Sequence, residues 1–330
     1  MTGQGLSYAK KCSVRIILEG QAPTGAWLAS HTFNPYGFCW FRDGAFIADA
    51  MSRVGHVESA EAFFDWAAEV IYSRKERVKG GEILRARYTV EGEESEDEWP
   101  NFQLDGFGTL LWAIRAHAVR HNRPTEQWQE AIQVTLDYLA RRWSEPCHDW
   151  WEEYSAIHPA TLASIYAGLG AFDHPEADAV KAAINLKNAK LDASLIACVT
   201  PFRAVTHEEF KPTLEQIEQK LVNKAGGVHR HPKDTYYGGG EWLILTALLG
   251  WYYAQVGREK EALKKLERIA VHMDENGWLP EQTSQYMLAP KMRRYWFDKW
   301  GQPAHPLVWS HAMFLTLASE LKISRTTRTN

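Results

Sequence analysis

Two stretches of this 330-residue chain, 240–256 and 306–322, read as helices that are apolar nearly all the way round. A helix of that kind has no face to offer to water and must be enclosed on every side. An inner ring of buried helices wrapped by an outer amphipathic ring meets that demand. Helical stripes recur along the rest of the chain. Ala60, Phe63, Phe64, Ala67, Val70 and Ile71 fall on one helical stripe. Leu104, Phe107, Leu111 and Ile114 form a second, and Trp128, Ala131, Ile132, Leu136 and Leu139 a third. The i, i+3, i+4, i+7 spacing predicts further helices over 6–19, 43–55, 159–172, 175–188, 213–224 and 258–272. Alternating strand patterns are scarce. No fixed-period repeat points to a solenoid, and no Gly/Ser/Pro linker divides the chain. The expectation is an all-α toroid of eleven or twelve helices, folded as one domain over 1–330.

Charge and cysteine usage narrow the function classes. The net charge is −4 with 24% charged residues, which argues against nucleic acid, because a phosphate binder shows a basic stripe. The acidic run Glu91–Glu98 is expected to be a solvated loop. Cys12, Cys39, Cys147 and Cys198 show neither CxxC nor zinc spacing and read as isolated thiols in a reducing compartment. Met1–Lys10 has no apolar signal core, and the longest apolar run, Trp242–Ala254, is too short to span a bilayer. These features predict a cytoplasmic protein without membrane contact. Phosphate-loop patterns are missing, and Gly238-Gly239-Gly240 reads as a flexible turn into a helix at Glu241. His229 and His231 have no further ligand pattern, so neither a metal nor another cofactor is expected.

The unusual number is 15 tryptophans, many outside the helical stripes. An indole offers a broad apolar face and one donor, which suits the apolar face and polar rim of a sugar. A Trp-rich core is the plain alternative for any one of them. The polar, aromatic loops are Asn34–Asp43, Trp99–Asp105, His148–His158, His229–Gly240 and Gly277–Trp309. In a toroid such loops can converge at one mouth and build a pocket.

Four loops carry candidate chemistry. Asp149-Trp150-Trp151-Glu152-Glu153 places three carboxylates beside two indoles. An apolar wall or a neighbouring carboxylate raises a carboxyl pKa, as a glycosidic acid requires. The plain alternative is an acidic helix start favoured by the macrodipole. Gly277-Trp278-Leu279-Pro280-Glu281-Gln282 offers a second carboxylate that could activate water, or a surface glutamate in a turn. Arg42-Asp43 among aromatics, and Arg230 with Asp234, could bind adjacent hydroxyls through fixed donors and acceptors.

Taken in order, these segments resemble the glucoamylase family, glycoside hydrolase family 15, across nearly the whole chain. Tyr36…Trp40-Phe41-Arg42-Asp43 is similar to the family's glucose-gripping segment, and Trp99-Pro-Asn-Phe-Gln103-Leu-Asp105-Gly106 to its Gln-x-Asp-Gly loop. Arg230-His-Pro-Lys-Asp234-Thr-Tyr-Tyr237…Trp242 resembles another sugar-binding stretch. The resemblance implies an (α/α)6 barrel and an inverting, exo-acting α-glucosidase. It makes Glu152 the general acid and Glu281 the general base, with Glu153 toward the leaving sugar. Asp149, three residues before Glu152, could raise the acid's pKa or assist with the water. Trp99 and Trp151 would pack against sugars that Arg42, Asp43 and Arg230 orient. Linkage stays open between α-1,6, α-1,4 and α,α-1,1. No starch-binding module is visible, and the long 283–308 stretch could close over the pocket. Both favour a short substrate, and the resemblance to compact bacterial members that cleave isomaltose implies an α-1,6 linkage. A non-catalytic sugar-binding domain and a phosphorylase are the rivals.

Overall fold

The computed structural model describes residues 3–323. The chain runs through helical hairpins, each pairing an outer helix with an inner element. They are α1 (Gly3–Glu19) with α2 (Phe41–Arg53), then α3 (Val57–Tyr72) and a short α4 (Lys75–Lys79) with α5 (Asp105–His121). Next come α6 (Gln129–Arg142) with α7 (Pro159–Gly170), and α8 (Ala177–Ala182) with a 3-10 segment, Ala193–Cys198. The last are α9 (His207–Lys220) with α10 (Leu243–Gln255), and α11 (Glu259–Ala270) with α13 (Val308–Glu320); α12 (Met292–Trp300) lies between these two. The inner elements close a ring: α2 packs on α5, α5 on α7, α7 on the 3-10 segment, that segment on α10, α10 on α13, and α13 on α2. This is an (α/α)6 barrel.

The two all-apolar helices sit where their sequences demand. Leu243–Tyr253 of α10 and Val308–Ala318 of α13 are buried without interruption. Outer α11 buries one stripe, including Ala262, Leu266 and Ile269, and turns its other charges outward while buried Lys265 donates to the Gly226 carbonyl.

Several boundaries differ from expectation for local reasons. The helix expected over 175–188 ends at Ala182, and the Asn185 side chain then caps a turn by accepting from the backbone N–H groups of Lys187 and Asn188. The helix expected from 213 begins at His207, because Thr206 and Glu209 form a capping box ahead of Pro212. The inner 3-10 segment and α12 were not foreseen. The glycine run is no flexible turn. A Cβ on Gly240 would lie 1.9 Å from the Thr283 carbonyl oxygen, and one on Gly239 2.3 Å from that of Asp234. Both positions need glycine because backbone passes directly against backbone.

Four two-residue strands complete the fold. β1 (Cys39–Trp40) pairs with β2 (Arg87–Tyr88), and β3 (Cys147–His148) with β4 (Ser155–Ala156), both antiparallel. The acidic run is not simply solvated: Glu94 pairs with Arg74, Arg77 and Arg85, and Asp97 with Arg87. All four cysteines are free and buried. No described helix is long and apolar enough to cross a membrane.

Candidate active site

Each aromatic loop delivers its residues to the N-terminal end of an inner element. Trp40 caps α2, Leu104 α5, His158 α7, Asp192 the 3-10 segment, Trp242 α10 and Leu307 α13. The mouth of the barrel therefore gathers backbone N–H groups and positive helix ends, which favour oxygen-rich ligands and carboxylates. There the chain forms a pocket of about 350 Å³, near the lower end of the roughly 300–1,000 Å³ that small-molecule sites occupy. Eight of the 15 tryptophans line it: Trp40, Trp99, Trp150, Trp151, Trp242, Trp296, Trp300 and Trp309.

Glu152 stands at the tip of the β3–β4 hairpin. Its φ of 63° lies in the left-handed region, a cost of about 1–3 kcal/mol for a residue with a Cβ. Asp149 makes this turn possible. Its backbone carbonyl accepts from the Glu152 N–H at 3.1 Å, and its Oδ1 accepts from the N–H groups of Glu153 and Tyr154 at 2.8 and 3.3 Å. With its carboxylate so engaged, Asp149 is not part of the pocket lining. Glu152 Oε1 accepts from Trp40 Nε1 and Gln103 Nε2, both at 2.7 Å. The Gln103 amide orientation follows from its other bonds: its oxygen accepts from Arg42 Nη1 at 2.9 Å, and Nε2 also donates to the Pro100 carbonyl at 2.7 Å.

Glu281 enters from another wall. Its backbone N–H donates to the Ala304 carbonyl at 3.0 Å, and its carbonyl accepts from the N–H of Leu243 at 3.3 Å, which fixes it between α10 and α13. The residue is 1% exposed. Tyr36 donates to its Oε1 at 2.7 Å, while no hydrogen bond of ordinary geometry from a described residue reaches Oε2. Burial pushes its carboxyl up to about 7, against the hydrogen bond from Tyr36 and the charge of Arg230.

Two buried arginines frame the floor and side. Arg42 Nη1 pairs with Asp105 Oδ2 at 3.1 Å, and Arg42 Nε lies 3.5 Å from Asp43 Oδ1. Burial raises the Asp43 carboxyl to about 7 despite Arg42. Arg230 Nε donates to Asp234 Oδ2 at 2.8 Å, and its Nη2 to Glu153 Oε1 at 2.9 Å. Its guanidinium lies against Trp151, Tyr236 and Trp242 at 5.0–5.3 Å from the ring centroids. Burial disfavours a charged Glu153, yet His231 and Arg230 hold its carboxyl below the usual range. Glu153, His231 and Asp234 bring three possible metal-ligand atoms within 4.8 Å of one another, but Arg230 already pairs with both carboxylates.

The structure thus brings Tyr36, Trp40, Arg42, Asp43, Trp99, Trp151, Glu152, Glu153, Arg230, Trp242 and Glu281 to one cavity. Asp234 lies fully buried behind Arg230 as its anchor, not on the wall. Sequence reasoning missed Trp309, Glu98 and Asp192, the last of which accepts from Trp151 Nε1 at 2.8 Å. It also missed Arg87 behind the wall and gave Gln103 no role.

The helical ring and its indole-lined, carboxylate-bearing mouth define an α/α-barrel glycoside hydrolase. The chain belongs to glycosyl hydrolases family 15, whose model matches residues 7–181. It is 37% identical to the isomaltose glucohydrolase of Kribbella flavida, over 93% of this chain and 90% of that protein. An uncharacterised glycosyl hydrolase of Methanocaldococcus jannaschii is 27% identical over 90% of this chain and 53% of its own length. Among solved structures, a wild-type glycosidase superposes with a TM-score of 0.92 at 36% identity, covering 97% of this chain and 98% of that one. A variant glycosidase in complex with glucose gives 0.91 at the same identity and coverage. Saccharomycopsis fibuligera glucoamylase, at 16% identity and a TM-score of 0.76 over 96% of this chain and 95% of its own, shares the barrel.

Proposed function

We propose that this protein hydrolyses a short α-glucoside from its non-reducing end with inversion, and that isomaltose or a small isomaltooligosaccharide is its substrate. The observation that carries the reading is the pair of glutamates on different walls of one pocket. Glu152 is held by Trp40 and Gln103 from the α2 and α5 side, and Glu281 sits between α10 and α13. An inverting hydrolase needs two carboxyl groups about 6.5–9.5 Å apart, leaving room for water. Glu152 protonates the glycosidic oxygen, and Glu281 takes a proton from water attacking the opposite face of C1. Tyr36 orients Glu281. Arg42, Asp43 and Arg230 orient the glucose, and Trp99, Trp151 and Glu153 meet the sugar beyond it. In this reading Asp149 acts through the backbone turn and not on the reacting atoms.

The substrate is inferred from the Kribbella flavida relative and from the roof of the pocket. Trp296 and Trp300 on α12 lie against Tyr236, with ring centroids 5.1 and 6.2 Å away. They cover the pocket, which favours a short substrate over a polymer. Phosphorolysis is disfavoured because both pocket arginines are already paired with carboxylates. One continuous apolar core from α1 to α13 supports reading the described chain as one domain. Four buried thiols fit a reducing, cytoplasmic setting.

Proton NMR of fresh enzyme with isomaltose, maltose and trehalose in parallel tests the reading. Early β-glucose from isomaltose is the expected result. Early α-glucose rejects inversion, β-glucose from maltose or trehalose alone reassigns the linkage, and no glucose from any of the three rejects the hydrolase reading.

A further inference from the structure

We propose that buried Arg87 and its ion pair with Asp97 form a clasp that positions the outer wall of the pocket and so governs how the leaving half of the substrate is held. The inference rests on the glucoside-hydrolase reading above.

Arg87 lies in β2 opposite Trp40, is 2% exposed, and is not part of the pocket lining. Its guanidinium carbon sits 3.8 Å from the Trp99 ring centroid, 4.2 Å from that of Phe38 and 5.2 Å from that of Trp40. Nη1 donates to the Pro35 carbonyl at 3.1 Å, and Nη2 pairs with Asp97. One cation therefore joins three separate segments. These are the turn that carries Tyr36, the start of α2 with Trp40, and the loop that carries Glu98 and Trp99.

That loop has only a small satellite of core behind it, Ala29, Trp40 and Ala86, against which Trp99 packs. Glu98 and Trp99 line the pocket on one side, and the same two residues line a surface groove of about 370 Å³ on the other. The wall is thin there, and the Arg87–Asp97 pair adds to the limited packing of Trp99 on Trp40. The deep part of the pocket is different, since Arg42, Asp43 and Trp309 belong to ring helices. Rim residues on loop 98–100 reach what extends outward from the cleaved bond. Asp97 is the outer half of the clasp, and 49% of its side chain is exposed to solvent and salt. Arg87 and Asp97 are thus positioning residues, acting through Trp99, the ring nearest the guanidinium.

The test compares isomaltose, which needs a leaving-sugar wall, with α-glucosyl fluoride, whose leaving group needs none. Asp97→Ala is expected to raise KM for isomaltose about three- to fivefold, the upper range a half-exposed ion pair supports. Kinetics on α-glucosyl fluoride should stay within about twofold, and Asp97→Glu should recover most of the isomaltose loss. Raising salt from about 0.05 to about 0.5 M should move the wild type toward the Asp97→Ala value without affecting that variant, because screening weakens exposed charge pairs. Equal losses on both substrates, or unchanged KM for isomaltose, overturn the clasp. A wild type that turns over neither substrate overturns the hydrolase reading, and the clasp with it.

Discussion

Glu152 and Glu281 face one cavity but are housed in contrasting ways. Glu152 rides on a hairpin tip in a left-handed backbone conformation, and one of its oxygens takes hydrogen bonds from an indole and an amide. Glu281 is set between two ring helices, almost wholly buried, with one phenolic donor and a carboxyl raised to about 7. In the proposed mechanism, two donors on one oxygen of Glu152 would leave the other oxygen to carry a proton toward a leaving group. A buried carboxylate whose second oxygen takes no ordinary hydrogen bond from a described residue suits the proposed base, which must receive a water molecule. Surroundings, more than residue type, would separate the two proposed roles.

The largest effect that would break this contrast is loss of chemistry. Glu152→Gln and Glu281→Gln should each lower kcat on isomaltose by about 10²–10⁴-fold or more, measured by glucose release with folding checked by circular dichroism. Near-normal turnover in either variant removes that residue from its role.

The second effect separates the two glutamates by stability. A carboxyl whose folded pKa lies near 7, above an unfolded value of 4.5, favours folding only while protonated. Stability therefore falls as pH rises from about 4.5 to about 7. Glu281→Gln should be more stable than the wild type at pH 8 by about 1–3 kcal/mol, and equal to it below pH 4.5. Urea titrations at the two pH values read this directly, and a destabilised Glu281→Gln at pH 8 contradicts it. By the same ionisation, kcat/KM of the wild type should rise with pH through a limb near 7, the free-enzyme value.

The third effect tests the amide. Gln103→Leu removes one donor to Glu152 and one acceptor from buried Arg42. A drop in kcat of about ten- to a hundredfold is expected, and an unchanged kcat would show that Trp40 alone holds the acid. The smallest effect concerns Asp149. Asp149→Asn keeps the oxygen that caps the turn and removes the charge, so kcat/KM should stay within about twofold. Asp149→Ala should lower it by about three- to tenfold. Equal losses would restore a charge role for Asp149 beside the acid.

What the sequence disclosed follows from what each residue needs. The continuous apolarity of 240–256 and 306–322 could be met only by burial on all sides, so the inner ring was legible before any coordinates. The motifs around Arg42, Glu152, Arg230 and Glu281 each also fitted a helix start or a surface turn, and it was their order along the chain, resembling glycoside hydrolase family 15, that drew them to one pocket. Arg87 was hidden, since its partners come from Pro35, Phe38, Asp97 and Trp99, and nothing beside it in the chain signals burial. The inner 3-10 segment Ala193–Cys198 was hidden too, because six residues are too few to show a helical stripe. Asp149 was placed by counting along a turn, which could not show that its side chain accepts from the N–H groups of Glu153 and Tyr154.

The roof over the pocket has a different kind of attachment from its floor. No residue of α12 is buried. The approach to it is fixed by main-chain bonds from Leu288 and Ala289 to the carbonyls of Gly239 and Gly238, at sites where added side chains would collide. Its own anchors are few, Trp296 and Trp300 packed on Phe33, Tyr236 and Tyr237. The exposed positions between them can be exchanged with little burden on the barrel, which makes the helix an adjustable visor through which the same two glutamates could be presented to longer or bulkier sugars.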